Sequence, residues 1–289
     1  MERELWKIIS ANITFLDRKL PVGDYEHSVG RIVRVYLWAV LHDRPIYWAC
    51  DKHNWSGVRP PEQLPDQSTM SRRIFRGDTQ QMLKQLARRL DATPAASLLR
   101  FVDGKPLPVS KHSLDRQATF GRGAGGQDRG YKFHAIYGPS NQPVAWSVTP
   151  LNVSEHKQAA ELIKQGIEPG YLLGDANYDA NQLHEIAGQQ QVQLLTPRRY
   201  ASAKGLGHHQ HSSYRRDAIA RLEGPSDFAR SMLKQRRRIE TRFAHLTNFG
   251  GGLTCLPPWV RSLRRVSLWV QAKIIIRLAR DTYLGRLSA

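Results

Sequence analysis

The sequence has little cysteine, comparatively few acidic residues and no long uninterrupted apolar run. Its two cysteines, Cys50 and Cys255, are far apart and form no C-x-x-C pair. This excludes a disulfide framework and a cysteine-based zinc site, and it is typical of a reducing compartment. The apolar stretch 259–278 is interrupted by five Lys or Arg residues, a charge density that excludes a membrane span. Residues 1–6 lack the apolar core of a signal peptide, so we expect a cytoplasmic protein without a membrane partner.

Basic side chains outnumber acidic ones. Lys and Arg total 43 against 25 Asp and Glu, which gives 289 residues a formal net charge of +18. Lys and Arg bind phosphates by releasing condensed counterions, so nucleic acid is the favoured partner. The alternative is a basic protein whose charge only keeps it in solution. Clusters at Arg198-Arg199, Arg236-Arg237-Arg238 and Arg264-Arg265 favour nucleic acid, gripped largely through its backbone.

The apolar pattern changes near residue 97. Residues 1–96 show apolar positions at helical spacing, whereas short apolar runs typical of buried strands begin at residue 98. We predict an all-α N-terminal DNA-binding domain over 1–96 and an α/β domain over 97–289. Residues 198–226 are polar and rich in helix breakers, which predicts an insertion before a helix over 227–246.

One N-terminal segment has the composition of a DNA-reading helix. The Pro-rich stretch 59–65 is followed by small polar residues and then by paired arginines. Polar residues at a helix start can read base edges in the major groove, while Arg holds phosphates. The alternative is a capped, solvated helix. The predicted DNA-binding residues of this segment are Gln67, Ser68, Thr69, Arg72 and Arg73.

Two of the predicted strands end in an acid. Strands are expected at 98–103, 130–137, 143–148, 171–175 and 192–196, with helices at 155–165 and 179–187. Asp103 ends the first strand and Asp175 the fourth. Carboxylates at the carboxyl ends of neighbouring strands would repel one another unless a divalent cation such as Mg²⁺ lay between them. A third acid on a nearby helix would complete a two-metal site. The alternative is that each acid only caps a turn.

Four ordered motifs carry a family resemblance. They are Phe101-Val102-Asp103-Gly104-Lys105, Gly130-Tyr131-Lys132-Phe133-His134, Gly174-Asp175-Ala176-Asn177-Tyr178-Asp179 and Arg236-Arg237-Arg238-Ile239-Glu240-Thr241-Arg242-Phe243. Together they resemble the bacterial insertion-sequence transposases that have a DDE catalytic triad and a ribonuclease-H-like fold. The resemblance spans roughly residues 98–280. A related group has Tyr and Lys where this sequence has Leu233 and Thr247, so the sequence departs from that subgroup.

The resemblance implies a site and its partners. Asp103, Asp175 and Glu240 would be catalytic metal ligands for Mg²⁺, with Mn²⁺ able to substitute. The fold would be a five-stranded mixed sheet flanked by helices, preceded by an N-terminal helix-turn-helix. The implied partners are double-stranded transposon ends with inverted repeats, target DNA and a second copy of the chain, in a bacterial, nucleoid-associated protein.

Further side chains are expected to contact DNA or to have structural roles. Lys132 and His134 alternate with two aromatic residues on the second strand, so one pair faces the core and the other faces the site. Glu240 could instead form a surface ion pair with Arg236, one helical turn earlier. Asp179 is predicted to cap the next helix. The predicted DNA contacts of the second domain are Lys132, His134, Arg198, Arg199, Arg236 and Arg237.

Three functions remain open from the sequence. The favoured one is metal-dependent strand cleavage and strand transfer at the ends of an insertion sequence. The second is a ribonuclease-H-like nuclease that only hydrolyses. The third is a catalytically silent DNA-binding regulator derived from a transposase, which would bind DNA without a divalent ion.

Overall fold

The chain forms two compact units, and each is described by itself. The computed structural model describes residues 2–19, 25–91, 97–123, 125–202, 205–206 and 211–287. A helical unit comprises Met1–Ala92, His245–Val260 and Arg265–Ala289, and an α/β unit comprises Thr93–Ala244 and Arg261–Arg264. Residues 203, 204 and 207–210 of the predicted insertion lie outside the described residues.

The helical unit is built around a buried central helix. Its helices are α1 (Glu2–Asp17), α2 (Val29–Leu41), α3 (Ile46–Ala49), α4 (Gln67–Arg73), α5 (Gly77–Leu90) and the last helix of the chain, α11 (Leu263–Leu287). Trp38 of α2 lies 4.9 Å from both Trp6 and Trp55 between ring centroids. The indole of Trp38 donates to the Asn54 carbonyl at 3.0 Å, so this buried aromatic group keeps its polar atom paired.

The last helix belongs to the helical unit. The sequence pattern predicts it as part of the domain 97–289, but residues from 265 onward pack with the N-terminal helices. The contact that explains this is Lys273, which is fully buried. Its ammonium group donates to the carbonyls of Val40 and Gly251, both at 2.9 Å, and lies 2.5 Å from Asp43 Oδ1. Across the described ranges, no helix is long and apolar enough to cross a bilayer.

The α/β unit contains one mixed sheet flanked by helices. The strands are β1 (Leu99–Val109), β2 (Thr119–Gly123), β3 (Gly126–Tyr137), β4 (Pro143–Pro150), β5 (Gly170–Leu173) and β6 (Val192–Leu195). The helices are α6 (Glu155–Lys164), α7 (Asn181–Gln189), α8 (Ser213–Glu223), α9 (Phe228–Lys234) and α10 (Arg237–Thr247), whose last residues continue into the helical unit.

The strand order agrees with a ribonuclease-H-like core. β3 pairs with β1 and β4 in antiparallel fashion, and β1, β5 and β6 run parallel to one another. The five predicted strands are therefore confirmed as a mixed sheet. A sixth, β2, pairs with the first half of β3. It was not predicted because Thr119–Gly123 contains two glycines and has no buried face.

Two predicted segments differ from the structure. The helix expected over 227–246 is divided into α9 and α10 around Gln235 and Arg236. Part of the predicted insertion is the helix α8, which buries only Ala218 and Ile219. So few apolar positions give no clear helical period in the sequence.

We predict that Lys273→Met destabilises the protein by about 2–4 kcal/mol, because two buried carbonyls and Asp43 lose their charged partner. The measurement is the free energy of unfolding from urea titrations followed by circular dichroism. Lys84→Met is the control, since Lys84 is exposed on α5, and it should change stability by less than about 0.5 kcal/mol. A Lys273→Met variant as stable as the wild type would contradict the assigned role.

Candidate active site

The register of the parallel strands aligns two acids. Phe101 of β1 is paired with Leu173 of β5, and Asp103 and Asp175 each lie two residues farther along. Residues two apart on a strand share a face, so both acids follow the same face of the sheet beyond the last parallel pair. Electrostatic repulsion from Asp175 acts on Asp103, as expected for neighbouring carboxylates.

Asp103 was predicted to end its strand. In the structure β1 continues beyond it to Val109, in antiparallel pairing with β3. What ends near Asp103 is the parallel pairing with β5. Burial raises the pKa of Asp103 to about 6, opposed by the backbone N–H of Gly104, which donates to its Oδ1 at 2.8 Å. Asp175 Oδ1 accepts the N–H of Asn177 at 2.8 Å, so this acid does cap a short turn, as the alternative interpretation proposed.

A third acid, Glu155, joins the two aspartates in an open cavity of about 680 Å³. Glu155 is the first residue of α6, and its Oε1 lies 2.7 Å from the ammonium group of Lys132 on β3. Both side chains of this ion pair are largely buried. Like Asp175, Glu155 raises the pKa of Asp103. Arg199 also lines the cavity.

Glu240 lies on the helix that covers the face of Asp103. Asp103 is paired with Ala135, so Phe133 and Tyr137 share its face. Both rings contact Phe243 of α10, at 5.9 Å between centroids. Glu240 precedes Phe243 by three residues, which makes the two neighbours on the helix surface.

The carboxylate of Glu240 is exposed and is not among the residues that line the cavity. It lies 3.4 Å from Arg236, the surface ion pair that the sequence offered as an alternative. Arg236 itself is close enough to Asp103 to lower its pKa. The turn before α10 thus brings the positive charge of Arg236 toward the aspartates, while the Glu240 carboxylate on α10 is exposed to solvent.

The donor set of the aspartates fits a divalent cation. Two carboxylates at one strand edge supply the oxygen ligands that Mg²⁺ prefers, and a cation would offset the cost of ionising the partly buried Asp103. In the part of the chain that the structure describes, no group of three His, Cys, Asp or Glu side chains is arranged to hold a metal ion. A third ligand from the described residues would therefore require a side chain to move.

Two predicted site residues have other surroundings than expected. His134 is 1% exposed, and its Nε2 lies 2.9 Å from Thr149 Oγ1. Burial lowers its pKa to about 3, so His134 is a neutral core residue and not a DNA contact. Lys132 is also buried, but its ammonium group reaches the cavity through Glu155. The sequence predicted that one pair of side chains on this strand faces the core and the other faces the site; in the structure both pairs are buried, because helices cover both faces of the sheet.

Asp179 was predicted to cap α7, but Ala180 occupies that position. The Asp179 carboxylate instead accepts two hydrogen bonds from Arg215 of α8, at 2.6 and 2.7 Å, and one from the backbone N–H of Arg199 at 2.9 Å. These partners hold the pKa of Asp179 well below its usual range despite its burial. The network fastens α8 and the segment at Arg199 to the core, while neighbouring Arg198 pairs with Glu223 at 2.6 Å.

The predicted DNA-reading segment forms α4 in the helical unit. Asp66 caps it by accepting the N–H of Thr69 at 2.7 Å. The remaining predicted residues divide by exposure: Gln67, Ser68 and Arg72 are exposed, Thr69 is half-buried and Arg73 is 7% exposed. The structure thus presents most of this segment to solvent and buries its last arginine.

Sequence reasoning missed three residues of the cavity region. Glu155 was assigned only to a helix start, although an acid directly after a strand and a turn is a candidate ligand. Asn177 lines the cavity and donates to Asp175. Tyr178 is buried, and burial raises the pKa of its hydroxyl, as do the nearby charges of the acids, Asp103 foremost. The signal for Asn177 and Tyr178 was the motif Asp175-Ala176-Asn177-Tyr178, which places them two and three residues after Asp175.

Comparison with protein families decides the assignment. Residues 94–277, more than half of the chain, match the family model described as "Transposase DDE domain". The chain belongs to the DDE-type transposase family. The match includes Asp103, Asp175 and Glu240, and it extends into α11 of the helical unit. Searches of curated proteins and of solved structures found no significant match. Membership of this family makes the chain a transposase that acts on DNA.

We predict that Asp103→Asn alters how the stability of this transposase depends on pH. An ordinary Asp has a pKa of about 3.9, whereas Asp103 titrates at about 6 in the fold. The folded state therefore holds this proton more tightly, and the wild type should lose stability relative to the variant as pH rises from about 4 to 6. Thermal melting in EDTA at several pH values measures this difference.

The matched control is Asp217→Asn, because Asp217 is exposed on α8. Its pH profile should run parallel to that of the wild type. At pH 7, added Mg²⁺ should raise the melting temperature of the wild type more than that of Asp103→Asn. If the stability of Asp103→Asn and of the wild type depended on pH in the same way, the raised pKa of Asp103 would be contradicted.

Proposed function

We propose that this transposase cleaves DNA strands at the ends of an insertion sequence and joins the freed 3′-hydroxyl to target DNA. The observation that carries the proposal is the register of β1 and β5, which aligns Asp103 with Asp175 beside an open cavity. A shared site for both steps is reasonable, because cleavage and joining are each an in-line displacement at phosphorus.

Asp103 and Asp175 would hold Mg²⁺, or Mn²⁺ in its place, with Glu240 as the third ligand. Bound there, the ions would activate the attacking oxygen and stabilise the leaving one. The position of Glu240 beside Phe243 supports its role, because Phe243 packs on the face of the sheet that carries Asp103. Leaving its exposed ion pair with Arg236 would cost Glu240 little, since such pairs contribute only about 0–1 kcal/mol.

The positive groups around the aspartates would hold the DNA strand. Arg236 lies within electrostatic reach of Asp103, and Arg199 and Lys132 line the cavity. Charged groups arranged in this way offset the negative charge that develops on a reacting phosphate. Exposed Arg237 and Arg198 would contact the DNA backbone farther from the site.

The partners follow from the same function. The DNA would be double-stranded, with inverted-repeat ends and a target duplex, and the helical unit would bind it through exposed residues of α4. A homodimer is expected because two ends must be cut together. The protein would act in the cytoplasm, at the nucleoid.

A catalytically silent regulator is the second candidate, and one observation favours it. The carboxylate of Glu240 is outside the cavity, and Lys132 already neutralises Glu155 there. Such a protein would bind DNA without a divalent ion. A strand-cleavage and strand-transfer assay separates the two candidates.

We expect Asp103→Ala to lower cleavage and joining by roughly 10³-fold or more, because several kcal/mol of transition-state stabilisation would be lost. The assay uses DNA with the flanking ends of the native gene, in Mg²⁺ or Mn²⁺ and in EDTA. Asp217→Ala, on an exposed face of α8, should retain activity. Cleavage without joining would indicate a nuclease, and metal-independent binding with no cleavage in either protein would indicate the regulator.

Glu240→Gln should reduce activity to a similar extent while leaving DNA affinity in EDTA nearly unchanged, since the substitution removes a ligand and not a phosphate contact. Glu161→Gln is its control, because Glu161 is an exposed residue of α6 that pairs with Lys164 on the same helix. If Glu240→Gln kept full activity and Glu155→Gln lost it, Glu155 and not Glu240 would be the third acid.

A further inference from the structure

The helical unit contains a second charged cavity, of about 390 Å³. It lies between the segment at residue 25 and helix α4 with the turn that follows. Its lining is dominated by arginine and includes one aromatic ring. The lining residues are Tyr25, Glu26, His27, Thr69, Arg72, Arg73 and Arg76.

Arg73 is buried in this cavity without a hydrogen-bond partner for two of its nitrogens. Its residue is 7% exposed, and within the described ranges neither Nε nor Nη2 has a partner. Buried polar groups in native proteins are almost always paired, and a buried charge is more costly to leave unpaired than a neutral group. Two unpaired nitrogens on a residue that lines a cavity therefore indicate an anionic ligand.

The guanidinium of Arg73 is held in place. The Arg73 carbonyl accepts the hydroxyl of Thr79 and the N–H of Arg76, both at 3.0 Å. The guanidinium carbon lies 4.0 Å from the centre of the Tyr25 ring, and that of Arg76 lies 4.8 Å from the same ring. A side chain fixed by a ring face and a rigid turn loses little freedom on binding a ligand.

The other charges of the cavity leave it positive. Arg72 and Arg76 add to Arg73, whereas Glu26 is largely exposed. Arg76 interacts with Asp78 only at 3.5 Å. The planar guanidinium group of arginine donates two parallel hydrogen bonds to two oxygens of a phosphate. The three arginines therefore favour a phosphate over a monatomic anion such as chloride.

We propose that this cavity binds one phosphodiester group of the DNA backbone, with Arg73 as the central ligand and Arg76 at the rim. The inference rests on the proposed DNA-binding function and deepens it, because it separates α4 into two roles. Gln67 and Ser68 are exposed on the first turn of α4, whereas Arg73 binds a phosphate of the DNA backbone. A phosphate contact positions the DNA but carries no sequence information.

The test is the affinity of the full-length protein for two duplexes of equal length at several salt concentrations, in EDTA. One duplex carries the flanking end of the native gene and the other an unrelated sequence. Arg73→Gln should weaken both to the same degree, by roughly tenfold or more, and should lower the slope of log affinity against log salt by about one. Arg88→Gln removes an exposed charge on α5 and should leave the affinity nearly unchanged.

A second measurement separates the loss of one phosphate contact from a general loss of folding in Arg73→Gln. Single phosphates of the native end are replaced in turn by neutral methylphosphonates, and wild-type binding is measured. One position should weaken wild-type binding and have no further effect on Arg73→Gln, because the same contact is already lost. If every replacement weakens both proteins equally, the proposal is overturned.

Two other outcomes also overturn it. Inorganic phosphate raising the melting temperature of the wild type but not of Arg73→Gln, with DNA affinity equal in both, would identify a small-anion site. Loss of affinity for the native end alone would make Arg73 a base contact. These failures differ from failure of the proposed function, in which wild-type protein neither binds nor cleaves either duplex.

Discussion

Parallel pairing between β1 and β5 brings Asp103 and Asp175 together, and their negative charges repel one another. Several charged contacts of the α/β unit reduce this repulsion. Burial raises the pKa of Asp103, and repulsion from the carboxylates of Asp175 and Glu155 raises it further. Nearby positive groups reduce the repulsion from the acids around them: Arg236 acts on Asp103, and Lys132 pairs with Glu155. A bound cation would offset the repulsion that remains between Asp103 and Asp175, as expected of a cation site.

The sheet separates the two kinds of support for this pair. On one face, Phe133 and Tyr137 pack against Phe243 and so hold α10, which carries Glu240 and directly follows Arg236. On the other face, Lys132 reaches Glu155 at the start of α6. A substitution at Arg236 or at Glu155 therefore changes the charge around Asp103 without changing the strands. The charge on one face of the sheet can thus change independently of the charge on the other.

The sequence was informative where a local pattern determines the structure. Apolar runs ending in Asp103 and Asp175 predicted the central strands, because buried parallel strands read as continuous apolar segments. It was less informative where contacts join distant residues. Neither the burial of Arg73 nor the packing of α11 on the first helices leaves a periodic signal, since both depend on partners far along the chain. Glu155 was missed for the same reason, because its partner Lys132 lies on another strand.

The position of Lys273 has a consequence for biosynthesis. Its ammonium group supplies the hydrogen bonds of the Val40 and Gly251 carbonyls, and it is translated 233 residues after Val40. Helices α1 to α5 are therefore synthesised well before α11, which completes their packing, and most of the α/β unit is synthesised in between. A nascent chain interrupted before residue 273 therefore exposes an incomplete helical unit, in which the Val40 and Gly251 carbonyls lack the hydrogen bonds that Lys273 supplies.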